Sequence, residues 1–256
     1  MVVIIAAGWA LVRSGFLSTS AVGELNRLTY WVGLPALLVG RIGEATPQFA
    51  SIAGILTVLL LATAVSMAAA VGVAWLWRLP LRSLVTFVHG AYRGNLTFVG
   101  LPIVIYAFAG SPQASAYESA ALVAFVPMVV IYNVVAVILM QIPGKARPLT
   151  AIRRLLAGLA TNPILIATFM GLALALSGLT LPVFAGRTLA ALGQMALPLA
   201  LIGIGAGLYA HRVRGRQHWA IAAALLKTSV GPAAGLAFGL YYGLGTEELR
   251  LALIFL

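Results

Sequence analysis

The chain reads as long apolar runs separated by short polar ones. A helix needs about 20 mostly apolar residues to cross a bilayer, and the runs supply such spans directly: 1–12, 25–40, 51–76, 83–109, 116–141, 162–178, 188–209 and 219–243, with a ninth opening near Leu249. No charge lies between Glu44 and Arg78. Ser18, Thr19 and Ser20 are good N-cap residues ahead of the second run. Asn162-Pro163 places proline at the first helical position of the sixth. The first run has no basic stretch before it and no small-residue cleavage site after it, so it reads as a membrane helix and not a signal peptide. The pattern predicts an all-α polytopic membrane protein.

Composition sharpens that reading. Of 256 residues, 62% are hydrophobic and 8% charged, against about 25% charged in soluble domains. Cysteine is absent, which removes disulfides, thiolate nucleophiles and cysteine-ligated metals. Aspartate is absent too, and all five acidic residues are glutamate, leaving little for paired-carboxylate or Mg²⁺ chemistry. His89, His211 and His218 do not form a ligand set, and no phosphate-binding loop or nucleophile–base pair stands out. The expectation is a protein that is not an enzyme and uses no cofactor or metal.

The net charge of +11 is spread over short loops, which suits membrane topology and not nucleic acid. Loops after runs one, three, five and seven hold Arg13; Arg78 and Arg82; Lys145, Arg147, Arg153 and Arg154; and Arg212, Arg214 and Arg216. The alternate loops hold only Arg41, Arg187 and Arg250, together with Glu44, Glu118, Glu247 and Glu248. The positive-inside rule therefore places the first set in the cytoplasm and the N-terminus outside, in the cell (inner) membrane.

An internal repeat is visible. Leu25-x-x-Leu28 followed by Leu34-Pro35-Ala36-Leu37-Leu38 echoes Leu189-x-x-Leu192 followed by Leu197-Pro198-Leu199-Ala200-Leu201, and Leu81-Arg82 then Phe87-Val88 echoes Leu249-Arg250 then Phe255-Leu256. The offsets run from 163 to 168 residues. Five helices separate the copies, and an odd number inverts the second copy in the membrane. Inverted repeats are an architecture of secondary transporters, with the site near the midplane. The expected division is residues 1–142 as a first five-helix repeat, 143–160 as a basic cytoplasmic linker and 161–256 as an inverted, incomplete second repeat.

One stretch breaks the apolar pattern from within: Arg93-Gly94-Asn95-Leu96-Thr97-Phe98-Val99-Gly100-Leu101-Pro102. Proline removes a backbone donor and glycine loosens a helix. In hydrocarbon a broken backbone survives only where protein or a water-filled cavity satisfies the freed groups. A break between Gly94 and Pro102 would offer an anion the free N–H groups and positive dipole end of the second half-helix, with Asn95 adding an amide and Arg93 a charge. The alternative is that Pro102 only kinks the helix, Asn95 bonds a neighbouring helix and Arg93 snorkels. The repeat favours the first reading. Lys227, inside the eighth run, is a functional candidate because ionisable residues in spans are costly. It could replace a bound Na⁺, attract substrate, lock a helix pair or reach the cytoplasmic interface. Asn133 and Gln194 could line a cavity or bond between helices. Pro35 and Pro198 read as matched kinks, and Ala62 to Gly72 as a close-packing surface. Trp31, Trp75, Trp77 and Trp219 read as interfacial anchors or packing residues.

Taken in order, several of these motifs resemble the auxin efflux carrier family of plant PIN-type carriers and bacterial malonate-type transporters. They are Gly15-Phe16-Leu17 through Leu34-Pro35-Ala36-Leu37-Leu38, Arg93-Gly94-Asn95 with Gly100-Leu101-Pro102, Asn162-Pro163 with Gly171, Leu197-Pro198-Leu199-Ala200-Leu201 with Gly205, and Lys227 with Pro232. The resemblance implies a ten-helix fold of two inverted five-helix repeats, similar to the bile-acid symporter fold, with helices four and nine broken and crossing at the substrate site. Helices one, two, six and seven would form a scaffold and the rest a moving part. The family moves small organic anions by alternating access. Asn95 and the peptide groups around Gly100 and Pro102 would contact a carboxylate, Lys227 would be a supporting cation, and a homodimer is implied. The counterpart of Arg93 would fall near position 261, so the sequence is expected to be a fragment, and the short linker points to a bacterial-type member. The expected function is a secondary carrier of mono- or dicarboxylates. The alternatives are a sodium-coupled bile-acid-type symporter or a non-transporting membrane scaffold or sensor.

Overall fold

The computed structural model describes residues 1–44, 49–110, 114–142, 148–210 and 217–256. Lys145, Arg147, Arg212, Arg214 and Arg216 of the expected cytoplasmic loops, together with His211, lie outside the described residues. Twelve α-helices follow one another among them: α1 Val2–Arg13, α2 Thr19–Leu28, α3 Leu34–Gly43, α4 Phe49–Leu76, α5 Leu81–Tyr92, α6 Leu101–Phe108, α7 Ala114–Gln141, α8 Pro148–Ala160, α9 Pro163–Ser177, α10 Val183–Ala210, α11 Gln217–Tyr241 and α12 Thr246–Phe255. No described residue is in a strand. Four helical stretches are long and apolar enough to cross a bilayer, Ile52–Leu76, Ala120–Met140, Val183–Tyr209 and Gln217–Tyr241, and three shorter apolar helices accompany them.

Local signals place the helix ends where the sequence expects them. The Ser18 side chain accepts a hydrogen bond from the Ala21 N–H at 3.1 Å, and Asn162 Oδ1 accepts from Ile164 N at 3.0 Å and Leu165 N at 3.4 Å with Pro163 directly behind it. Each satisfies N–H groups that the first helical turn leaves without an intrahelical acceptor. Helix α11 closes at Gly243, whose φ of 68° lets Leu244 N–H reach the Gly239 carbonyl at 2.9 Å. Helix α4 closes the same way at Arg78, φ 50°, with Leu79 N–H on the Ala74 carbonyl at 2.9 Å. A left-handed arginine costs roughly 1–2 kcal/mol that glycine would not.

Of the two prolines expected as kinks, Pro198 lies inside the continuous helix α10, whereas Pro35, like Pro102 of the expected break, follows a π turn. A five-residue π turn, Thr29–Gly33, joins α2 to α3 without a non-helical gap, and Pro35 follows it in the first turn of α3. A second π turn, Leu96–Gly100, leads into α6, with Pro102 in its first turn. Proline cannot donate the i→i−4 bond, and the wider turn relocates the mismatch upstream. Both π turns end on the glycine of a Gly-Leu-Pro triplet, Gly33-Leu34-Pro35 and Gly100-Leu101-Pro102.

The chain forms two compact units, Met1–Pro47, Thr97–Val123 and Thr161–Val213 in one, and Gln48–Leu96, Ala124–Ala160 and Arg214–Leu256 in the other. Both units draw on segments from either side of residue 142. In the first, α10 packs against α1, α2 and α3, and α3 packs against α9. Glycine makes these approaches close. A Cβ at Gly33 would lie 3.1 Å from Ala196 Cβ, and one at Gly193 would lie 3.0 Å from Leu37 Cα. At Gly8 it would fall on the Ile202 carbonyl oxygen, at Gly205 on that of Ile5, and at Gly203 on the Asn26 amide. The pairs Asn26–Gly203, Gly33–Ala196 and Leu37–Gly193 make α2–α3 and α10 antiparallel.

In the second unit α4 packs against α5, α11 and α12, and α5 packs against α11. Ala62, Ala70 and Ala74 are fully buried on α4, as the expected close-packing surface requires. Ser66 is buried there with its hydroxyl returned to the Ala62 carbonyl, and a Cβ at Gly231 would sit 3.2 Å from Ser66 Oγ. Part of the expected basic linker is helical: α8 carries Arg153 and exposes Ile152 and Leu156.

Candidate functional site

Helix α5 carries a buried face of Val85, Phe87, Val88, Ala91 and Tyr92, then stops. Arg93 leaves the helix with φ −81° and ψ 110°, and Arg93–Asn95 are not helical. The chain resumes helical winding at Leu96, so Asn95 stands immediately before the second half-helix, the place a capping residue takes. The fourth run is thus a broken helix. Its gap lies at Arg93–Asn95, at the Gly94 end of the stretch where the break is expected, and Gly100, Leu101 and Pro102 belong to the winding that follows.

Side chains of the second unit gather at this gap. Arg93 Nη2 donates to Asn133 Oδ1 of α7 at 3.1 Å. The Lys227 side chain of α11 lies over Gly94, where a Cβ would meet Cε at 3.3 Å and Nζ at 3.4 Å. Glycine leaves this ammonium room beside the open backbone without the small shift that a Cβ would ask of it. Arg93, Gly94, Asn133 and Lys227 are therefore brought together. Gln194 belongs to the first unit and lines a cavity there with Pro198.

Behind the gap runs a buried hydroxyl chain. Tyr92 and Tyr132 are buried and meet edge to face, ring centroids 5.4 Å apart. Tyr132 shares a 3.2 Å hydrogen bond with Thr63 of α4, and Tyr92 hydroxyl points at the Tyr132 carbonyl at 3.5 Å. His89, one turn before Arg93, sets its ring edge against Tyr92 at 5.7 Å, and its buried Nδ1 has no hydrogen-bond partner among the described residues. Helices α4, α5 and α11 contain no carboxylate, so nothing on them neutralises Arg93 or Lys227. Sequence reasoning passed over Tyr92, Tyr132 and Thr63. Their signal was position: each tyrosine directly precedes a polar candidate, Arg93 or Asn133, inside an apolar run.

A chain whose described residues form helices and no strand, four of the helical stretches long and apolar enough to cross a bilayer, fits a polytopic membrane protein. A family model described as membrane transport protein matches residues 1–255. The chain therefore belongs to the membrane transport protein family, that of the auxin efflux carriers, and is a membrane transporter. No individual curated protein matches it.

Proposed function

We propose that the protein carries small organic anions, mono- or dicarboxylates, by alternating access, with the carboxylate held where the fourth helix is broken. The observation that carries this reading is the pair of cations at the gap. Arg93, in the gap just past α5, and Lys227, on α11, both stand at non-helical backbone, and neither α5 nor α11 carries a carboxylate to balance them. An ionised group inside a span is costly unless compensated, and a carboxylate bound there compensates both. Asn95 supplies an amide, and the start of the second half-helix supplies N–H groups and the positive end of its dipole. Arg93 presents a fork that matches a carboxylate in two-point geometry. Lys227 acts as a tethered cation against the open backbone at Gly94. The antiparallel packing of α2–α3 on α10, each carrying one of the matched prolines, supports the inverted repeat that alternating access uses. The basic loops face the cytoplasm and the N-terminus faces outward, as the charge alternation argues.

The test is uptake of malonate and acetate into proteoliposomes. Asn95→Ala is expected to lower the initial rate about tenfold, the cost of removing a hydrogen bond to a charged group, with the melting temperature unchanged. Full transport by Asn95→Ala would refute the assignment of the carboxylate to the gap.

A further inference from the structure

Helix α8, Pro148–Ala160, lies between α7 and α9 in the chain and carries none of the residues at the gap. At about 1.5 Å per residue its 13 residues extend about 20 Å, short of the roughly 30 Å of a bilayer's hydrocarbon. Arg153 and Arg154 stand near its middle, where a spanning helix pays most for charge. It does not run on into α9, because the backbone at Asn162 is extended, with φ −75° and ψ 114°. Helix α8 is therefore not a span of its own.

Its sequence is two-sided. Ile152, Leu155, Leu156 and Leu159 recur at helical spacing, which gathers them within an arc of about 100°. That stripe is uncovered: Ile152 is 51% and Leu156 60% exposed, and no described residue of the helix is buried. A Cβ at Gly158 would meet no described atom within 4 Å. Arg153 is exposed beside the stripe. Lys145 and Arg147 precede the helix in the sequence, and no acidic residue occurs between Glu118 and Glu247. The chain also limits where the helix can be. Only Thr161 and Asn162 separate it from the apolar helix α9, a reach of roughly 11 Å at most. An apolar stripe edged by cations, tethered this closely to a helix suited to hydrocarbon, matches the level at which acyl chains end and phosphates begin.

We infer that α8 lies in the plane of the membrane surface and binds anionic phospholipid, its isoleucine–leucine stripe among the first acyl carbons and Arg153 on the lipid phosphates. A helix of this kind buries its apolar face about 5–10 Å into the headgroup–acyl boundary. Guanidinium and phosphate match in two-point geometry, and each cation near an anionic surface strengthens attachment about fivefold. The surface is distinct from the gap, and the inference stands whether or not a carboxylate binds there.

Nitroxide labelling of the full chain in vesicles tests it, since the absence of cysteine lets one label be placed at a time. The positions are Ile152→Cys and Leu156→Cys on the stripe and Ala157→Cys on the opposite side, with melting temperatures showing each labelled chain folded. Vesicles of phosphatidylcholine are compared with vesicles that also contain phosphatidylglycerol. Oxygen collects in hydrocarbon and a nickel chelate stays in water, so their effects on the label report its depth. With phosphatidylglycerol present, the labels at positions 152 and 156 should meet oxygen and exclude nickel, while the label at 157 meets nickel. In phosphatidylcholine alone the ratio of embedded to water-exposed label at 156 should fall about tenfold or more. Arg153→Gln combined with Arg154→Gln should shrink that dependence on lipid by a similar factor. Labels at 152 and 156 shielded from both reagents would mean that protein, a second copy included, covers the stripe. Nickel reaching all three labels in both lipids would place the helix in water, and equal embedding in the two lipids would mean that no anionic headgroup is recognised. Each of these results would overturn the inference.

Discussion

Arg93 lies at the gap on a chain segment with no regular structure of its own, so its position depends on what holds it. The hydrogen bond that orients it comes from Asn133 Oδ1 at 3.1 Å. Replacing Asn133 with alanine removes that acceptor and leaves the rest of α7 unchanged. A hydrogen bond to a charged group is worth about 1.5–3 kcal/mol in soluble proteins. Between membrane helices, measured couplings average about 0.6 kcal/mol and reach about 1.7. With Arg93 exposed, the lower scale applies, and about 1 kcal/mol is a fair value for the pair. At an RT of about 0.59 kcal/mol this is roughly a fivefold factor. The measurement is a double-mutant cycle on the carboxylate concentration for half-maximal uptake, using Asn133→Ala, Arg93→Gln and the double variant. Asn133→Ala should raise that concentration about fivefold while leaving the maximal rate near wild type, because Asn133 positions Arg93 and does not itself touch substrate. In the double variant the Asn133 change should cost almost nothing further. If the two losses multiply in full, the pair is not coupled and Asn133 does not act through Arg93.

Two further outcomes follow from packing and topology. Gly205→Val should lower the melting temperature in detergent sharply, since the new side chain lands on the Ile5 carbonyl and overpacking costs typically 1–3 kcal/mol or more; an unchanged melting temperature would mean α1 and α10 do not pack as described. The chain has no cysteine, so single cysteines report sidedness without background. Ser14→Cys should react with a membrane-impermeant maleimide only from the cytoplasmic side and Leu179→Cys only from the outside, and the reverse would invert the proposed orientation.

The apolar spacing carried most of the helix order. The second run was legible from two signals, the apolar spacing over 25–40 and the Ser18–Ser20 cap, and its helical path reaches from Thr19 to Gly43 because the polar turn between them, with Glu24, winds as well. Residues Pro148–Ala160 read as linker because of their charge, yet leucine, alanine and arginine favour helix and the segment winds accordingly. The break was legible as a region, from Gly94 to Pro102, and the open backbone occupies its upstream end. Sequence rules assign a break to proline, but the π turn at Leu96–Gly100 absorbs Pro102 inside a wound segment, which leaves Arg93–Asn95 as the open backbone. Arg93, Asn133 and Lys227 could each be singled out as polar residues in apolar surroundings. Their meeting could not, because it depends on which faces of α7 and α11 turn toward α5. Gln194 had the same signature and lies in the other unit.

The two Gly-Leu-Pro triplets set the phase of the helices they divide. An α-helix advances about 100° and 1.5 Å per residue, and a π turn winds in one residue beyond the α count. It works like slack in a winding: one extra residue is taken up within the turn, and the helix downstream keeps nearly the phase it would have without that residue. Between α2 and α3 that turn decides which side chains meet α9 and α10. Leu34, Leu37, Leu38 and Ile42 are buried in this phase, and inserting a further residue beyond the one that Thr29–Gly33 absorbs would swing them about 100° away. The same fitting between the gap and α6 means that a residue inserted anywhere in Leu96–Gly100 would re-aim Ile105 and Tyr106 without touching either residue.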